Sequence, residues 1–369
     1  MFDKSVLSDV LQWPVYGLRQ SDKDAMLGAE LRRLTALHDE ACPPYRAILD
    51  KLAAVRTAQT EPASDTPDAL DDLPFLPVRL FKHEQLLSVP HEAVVKTMTS
   101  SGTSGQNVSQ IFLDRHTSML QVKVLSRIVG DLIGPKRLPM LVIDCRATVA
   151  NRYRFSARTA GIQGFSMFGR DVEFALDDDM SLNVERVRAW LDKHAGEDIL
   201  VFGFTFVVWL HFVRALEDAG ETLPLERGVL VHGGGWKQLQ SQAVDAAEFR
   251  RRVGAITNMA RVHSYYGMAE QTGSIFVECE QGHLHASAWS DIRVRDPLDF
   301  RPLQRGERGL IQLLSALPHS YPGHSLLSED EGEIVGIDDC PCGRKGTYFA
   351  VHGRIQHAET RGCSDTYSR

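Results

Sequence analysis

The stretch TSSGTSGQ at residues 99–106 constrains this chain more than any other. It is built of glycine and hydroxyl side chains with almost nothing apolar to pack. The segments on either side, AVVKTM (93–98) and QIFLD (110–114), read as strands from their β-branched and apolar content. Glycines let backbone N–H groups approach an anion closely, and Thr99, Ser100, Ser101, Thr103 and Ser104 add neutral donors. A flexible surface turn is the bland alternative. Because the run joins two ordered elements, a phosphate loop is the favoured reading. No Gly-Lys-Ser/Thr closes it and no helical pattern follows at once, so it is neither a Walker loop nor a dinucleotide fingerprint.

A chain of 369 residues can bury a large core, as one large domain or two ordinary ones. A formal charge of −7 argues against a general nucleic-acid binder. The opening MFDKSVLSDVLQWPVYG carries acidic residues and no long apolar run, unlike a secretory signal. The most apolar stretch, ILVFGFTFVVWLHFV (199–213), is too short to span a bilayer and reads as a buried strand followed by a buried helix. These features predict a cytoplasmic protein without a membrane span. The six cysteines are too few and too irregular for a disulfide scaffold, which leaves metal binding or thiol chemistry as the alternative to simple burial.

Helix-like periodicity covers much of residues 1–60, and a polar, proline-bearing loop, TEPASDTPDALDDLP (60–74), follows it. Strand-like runs such as MLVIDCR (140–146), DILVFGF (198–204) and RGVLVHGGG (227–235) then alternate with amphipathic segments such as SLNVERVRAWLDKHA (181–195). That alternation predicts α/β layers with a largely parallel sheet. Beyond about residue 275 short strands and turns replace it, which predicts a smaller β-rich subdomain. No internal repeat is present.

Four further phrases carry chemistry-bearing residues. VHGGGWK (231–237) sets Gly233, Gly234 and Gly235 at the end of an apolar strand, where an open α/β sheet binds ligands; a tight strand-to-helix turn would need the same residues. HSYYGMAEQTGS (263–274) offers Tyr266 to stack on a base, Gly267 for a turn and Glu270 for a hard cation. A buried tyrosine and a capping acid are the plain alternatives. SEDEGEIVG (328–336) supplies clustered acids, and HGRIQHAETRGC (352–363) supplies Arg354 in a turn context. CEQGHLH (279–285) and CPCGR (340–344) together hold three thiols and two imidazoles, and Cys₃His is a tetrahedral zinc set.

The order of these phrases resembles the adenylate-forming superfamily of acyl-CoA synthetases, peptide-synthetase adenylation domains and firefly luciferase, from about residue 75 to the C-terminus. VRLFK (78–82), HGGGWK and the ending AETRGCSD (358–365) resemble the LuxE-type acyl-protein synthetases of bacterial fatty-acid reductase systems. The resemblance implies an α/β fold like the N-terminal domain of adenylate-forming enzymes, with a smaller β-rich subdomain and without the usual mobile C-terminal domain. The expected division is a helical N-terminal region (1–74), an α/β nucleotide-binding core (75–275), a β-rich subdomain (276–351) and a hinge-like tail (352–369) carrying Cys363. It also implies ATP and Mg²⁺ as cofactors. Thr99, Ser100, Ser101, Gly102, Thr103, Ser104 and Gly105 would hold the β- and γ-phosphates. Gly233 to Gly235, Tyr266 and Gly267 would form the adenine side, and Glu270 would bind Mg²⁺. Asp330 would hold the ribose, although the usual Thr-Gly-Asp stands here as Ser328-Glu329-Asp330. Arg354 would contact ribose and phosphate. The lysine normally supplied by the C-terminal domain would need a substitute, such as Arg354, Lys237 or a partner, or else adenylation would be slow.

In LuxE-type enzymes a cysteine near the C-terminus accepts the acyl group, and here that residue is Cys363, with Arg361 able to depress its pKa. The expected activity is ATP-dependent activation of a carboxylic acid, with a fatty acid suggested by aromatics such as Phe202, Phe204, Phe206 and Trp209, which could equally be core. Acyl transfer to Cys363 and delivery to an acyl reductase subunit would follow. Two alternatives remain: a ligase that uses coenzyme A or a carrier-protein thiol, with Cys363 idle, and a non-catalytic nucleotide-binding scaffold subunit. Related phenylacetate-CoA-ligase-like enzymes pair the two Cys/His regions in a similar way, so a structural Zn²⁺ on Cys279, His285, Cys340 and Cys342 is expected, with His283 as a substitute ligand.

Overall fold

The strands of this chain follow its apolar runs, and its helices follow its capping residues. The computed structural model describes residues 11–58, 70–99, 108–150, 157–236 and 243–354. In chain order the strands are β1 (Leu76–Pro77), β2 (Val94–Thr99), β3 (Gln110–Asp114), β4 (Leu138–Cys145), β5 (Gly169–Leu176), β6 (Ile199–Phe204), β7 (Gly228–Gly233), β8 (Arg261–Tyr266), β9 (Phe276–Glu278), β10 (Leu284–His285), β11 (Ser290–Arg295), β12 (Gly309–Ser315), β13 (Ser325–Ile337) and β14 (Thr347–Arg354). The principal helices are α1 (Gln20–Ala41), α2 (Pro43–Ala58), α3 (Arg115–Ile133), α4 (Val184–Lys193) and α5 (Ala246–Thr257). Short polar side chains start three of them. Asp114 accepts from the Thr117 amide at 2.7 Å, Asn183 from that of Arg186 at 3.0 Å and Asp245 from that of Glu248 at 2.8 Å, each satisfying a donor that the first helical turn leaves open.

One large mixed sheet runs β11-β12-β13-β14-β10-β9-β8-β7-β6-β4-β5, with β1 joined to β13, and β2 and β3 form a separate antiparallel pair. From β4 to β8 neighbouring strands are parallel. β6 and β7 are buried along their whole length, as parallel strands covered on both faces must be. The apolar stretch 199–213 is β6 followed at once by the helical turns Thr205–Val208 and Trp209–Val213. Phe202, Phe204 and Trp209 lie in the main core, where Phe202 stacks on Phe165 at 4.3 Å, while Phe206 is half-buried. At β8 the sheet changes character: Tyr265 and Tyr266 pair antiparallel with Val277 and Phe276, and every strand beyond is antiparallel to its neighbour in the main run. The boundary at residue 275 thus falls between hydrogen-bonded neighbours, and what changes there is strand direction.

The N-terminal helices join this frame. Leu27 and Leu31 of α1 pack with Leu70, Leu73 and Leu314, so α1 covers β12. Beside them the buried Lys23 ammonium stands 3.4 Å from Asp291, which also accepts from Gln20 at 2.6 Å and faces Arg293 at 3.2 Å. Charges taken out of water need such pairing, and removing one partner would leave the others uncompensated.

Candidate active site

The carboxyl ends of β6, β7 and β8 lie side by side, ending at Phe204, Gly233 and Tyr266. Gly233 pairs with Tyr265, whose ring lies across it: a Cβ on Gly233 would fall 2.5 Å from that ring. Gly234 then turns the chain outward at φ +81°, a conformation open to glycine, and Gly234 and Gly235 are exposed. The aromatic residue on the glycine strand end is therefore Tyr265, a residue the sequence reading passed over. Successive strand residues point to opposite faces. Tyr265 joins the main core around Phe165 and Phe202, while Tyr266 turns toward Phe276 and Phe349.

On that second face three predicted residues meet. The Tyr266 hydroxyl donates to Asp330 Oδ2 at 2.6 Å, and Arg354 Nε stands 3.6 Å from Oδ1. Asp330 and Arg354 are register partners on β13 and β14, so the ladder sets their distance. Burial, followed by the Asp330 carboxylate, holds the Tyr266 phenol well above its usual range, which keeps it a donor. The adjacent Glu329 pairs with Arg79, tying the VRLFK turn (Val78–Lys82) to β13.

Glu270 sits in the short 3₁₀ turn Ala269–Gln271, with Gly267 in the link from β8. It is 7% exposed, and burial raises its carboxyl above the ordinary range. The nearby Ser109 hydroxyl and the charges of Lys82 and Arg354 pull it back down. Ser109 immediately precedes β3, and Thr99 at the end of β2 pairs with Gln110. The hairpin that flanks the hydroxyl-glycine run is thus brought to Glu270. Ser100, Ser101, Gly102, Thr103, Ser104 and Gly105 lie outside the described residues, as do Lys237, Arg361 and Cys363. Ser109 and Lys82 were missed as functional residues in the sequence; Lys82 was visible only as the last letter of VRLFK. Glu270 would offer a divalent ion one buried carboxylate, the kind of oxygen ligand that hard cations prefer.

A separate cluster gathers Cys279, His285, Cys340 and Cys342, whose donor atoms all lie within 4.8 Å of one another. Cys279 follows β9, His285 is on β10, and the two other thiols occupy the turn between β13 and β14. Cys279 Sγ is 3.9 Å from Cys340 Sγ, and Cys342 Sγ is 3.4 Å from His285 Nε2. Two thiolates at about 2.3 Å from a tetrahedral centre would be about 3.8 Å apart, so the spacing fits zinc. His283 Nδ1 stands 3.4 Å from Cys340 Sγ. Burial raises the Cys279 thiol, takes Cys340 up to about 12 and lowers His285 to about 3. All three shifts favour the neutral form. A bound cation would reverse them for the thiols and needs the imidazole neutral. Tyr348 stacks near both imidazoles, at 4.7 Å from His283 and 5.5 Å from His285. β14 runs from Thr347 beside this cluster to Arg354 at the other site, a separation of about 20 Å at strand rise, so the two groups are distinct.

The sheet and the residues gathered at its strand ends define a class, the adenylate-forming ligase fold. A 2-hydroxyisobutyryl-CoA ligase, solved in the postadenylation state with 2-HIB-AMP, superposes with a TM-score of 0.68 at 17% identity over 92% of this chain and 69% of its own. An open conformation of that ligase, with 2-HIB-AMP and CoA, gives 0.66 at 18% identity over 93% and 77%. Within this class, residues 55–369 match the model of the acyl-protein synthetase LuxE family, and the chain belongs to that family of ligases. Two relatives named long-chain-fatty-acid–luciferin-component ligase, from Aliivibrio fischeri and Vibrio harveyi, are each 24% identical, over 82% and 81% of this chain and 79% and 78% of their own.

Proposed function

We propose that this ligase activates a carboxylic acid with ATP and passes the acyl group to its own Cys363. The observation that carries the first half is the convergence of Glu270, Ser109 and the Tyr266–Asp330–Arg354 group on one end of the sheet. In the first step a carboxylate oxygen attacks the α-phosphorus of ATP, an O–P bond forms, the α–β bridging bond breaks and pyrophosphate leaves. Asp330 accepts from the ribose hydroxyls, held in place by Tyr266 and Arg354. Glu270 would hold Mg²⁺, which when bound would neutralise phosphate charge. Lys82 and Arg354 add positive charge on the same side. Residues 99–105 donate to the β- and γ-phosphates. Catalysis of this kind is chiefly positioning and electrostatic stabilisation.

In the second step the Cys363 thiolate attacks the acyl carbonyl, a C–S bond forms, the C–O bond to AMP breaks, and the thioester is delivered to an acyl reductase partner. A fatty acid is the substrate class suggested by the names of the two bacterial relatives. The Cys279, His285, Cys340 and Cys342 group would hold a structural Zn²⁺.

Two variants test the half-reactions separately. Glu270→Gln is expected to abolish acid-dependent pyrophosphate release while keeping the fold, and unchanged release would remove Glu270 from the mechanism. Cys363→Ser is expected to exchange pyrophosphate at the wild-type rate but to retain no hydroxylamine-labile acyl label after denaturation, because a hydroxyl is a far poorer nucleophile than a partly ionised thiol. Label retained at the wild-type level would redirect the transfer to another thiol, coenzyme A included.

A further inference from the structure

The chain between β12 and β13 crosses the interior: every residue from Ser315 to His324 is buried. Connecting segments normally run over the surface, because a buried one must find partners inside the protein for its polar backbone. The partners found here come from the frame of the candidate site. Ser320 Oγ donates to the carbonyl of Phe112 on β3 at 2.7 Å, and the Ser320 amide donates to Thr117 Oγ1 at 3.1 Å. The next residue, Tyr321, donates its hydroxyl to the carbonyl of Glu270 itself at 2.9 Å. Gln271 returns a bond to the Gly323 carbonyl at 2.8 Å, and the Phe81 ring of the VRLFK turn meets Tyr321 edge-on at 6.0 Å.

We infer that Ser320 and Tyr321 are positioning residues for the ligase reaction, two consecutive side chains that set the spacing between β3 and the turn carrying Glu270. This rests on the Mg²⁺ role given above to Glu270. A three-residue 3₁₀ turn has few hydrogen bonds of its own, so its orientation depends on donors supplied from outside. The Tyr321 hydroxyl is fully buried and bonded to the backbone of the one residue in that turn that carries a carboxylate. Strand β3 leads out of the hydroxyl-glycine run, so a shift at either contact changes the position of that strand relative to the turn that carries Glu270. A misplacement of about 1 Å can cost on the order of a hundredfold in rate.

The test is Tyr321→Phe, which keeps the ring and removes one O–H, beside Ser320→Ala and Glu270→Gln in the full chain. For Tyr321→Phe the expected result is a fivefold or greater rise in the Mg²⁺ concentration that half-saturates pyrophosphate release. Half-saturation by the acid should stay unchanged, and amide exchange should be faster across residues 269–273 without any nucleotide. For Ser320→Ala the expected result is a similar rise in the ATP concentration required, with faster exchange across residues 110–114. A purely structural contact would lower the active fraction without moving either saturation constant. Unchanged Mg²⁺ saturation in Tyr321→Phe, or unchanged exchange in the Glu270 turn, overturns the inference. An active Glu270→Gln enzyme brings down the Mg²⁺ reading of Glu270. An inactive one beside a wild-type Tyr321→Phe enzyme brings down the positioning inference alone.

Discussion

The hydrogen bond from Tyr266 to Asp330 shows how one residue at the end of a parallel strand can reach a carboxylate 64 positions later in the chain. The acid has two oxygens, one taken by the phenol and one facing Arg354. Both partners leave further lone pairs open, which is what a ligand bearing two hydroxyls requires. Tyr266→Phe removes the shorter contact while preserving the ring against Phe276 and Phe349. Hydrogen bonds to a charged group are worth roughly 1.5–3 kcal/mol, so the variant should raise the apparent KM for ATP about tenfold or more. Measured KM for the acid should change little. A Tyr266→Phe enzyme with wild-type ATP kinetics would mean that Asp330 does not depend on this bond for its position.

Among elements, the run β9–β10–β14 is thinly paired, since β10 contributes only two residue pairs to each neighbour. Strands that short contribute little stability by pairing alone. A metal bound by thiols on both sides of this run would tie β9 and β10 to the β13–β14 turn, and its binding free energy would be folding free energy. The protein should therefore contain about one zinc per chain by elemental analysis. Chelation, or Cys340→Ser, should lower the unfolding temperature by roughly 5 °C or more, since ~1 kcal/mol corresponds to a few degrees in a domain of this size class. A metal-free protein with undiminished thermal stability would leave the four side chains as an ordinary buried cluster.

At the scale of the whole molecule, buried imidazoles make stability depend on pH. His38, His319 and His324 lie between α1 and the segment before β13, and His232 is on β7 near its end, beside Thr205. Their neighbours include Glu30 and Arg33 on α1, with Glu30 standing 3.5 Å from His319, and the His116 ring 4.9 Å from His319. Burial lowers His232, His319 and His324 to about 3 and His38 well below 6.5. In this case the unfolded chain binds protons that the folded one does not, so stability is complete above about 6.5 and falls as pH drops toward the folded values. Each such group contributes up to about 1.4 kcal/mol per pH unit in that window. Denaturant midpoints should therefore fall steeply between about pH 6.5 and pH 4. His324→Gln should lessen the slope if it folds, and a midpoint independent of pH across that range would show that these rings do not remain neutral on burial.

Much of this fold is legible in one dimension because its signals are local. The apolar runs that became β4, β6 and β7 need only hydrophobic content and length, and the turn from β6 into helix at Thr205 follows from the same stretch. The Cys/His set was legible in part from residue chemistry, since three thiols and two imidazoles stand in two short phrases, but the resemblance, not the chemistry, singled out His285 over His283. Glu270, Asp330 and Arg354 could be named from the order of motifs, but their mutual distances could not. Those depend on the register of β13 against β14 and on the pairing of β8 with β9, which are long-range choices made by the whole sheet. The parity of a strand decided that Tyr265, and not Tyr266, lies on Gly233. Ser109, Lys82, Ser320 and Tyr321 carry no pattern in the sequence that sets them apart. What distinguishes them is a place beside the Glu270 carboxylate for Ser109 and Lys82, a bond to its backbone for Tyr321 and a bond to β3 for Ser320, and only the packed tertiary structure brings segments so distant in the chain together.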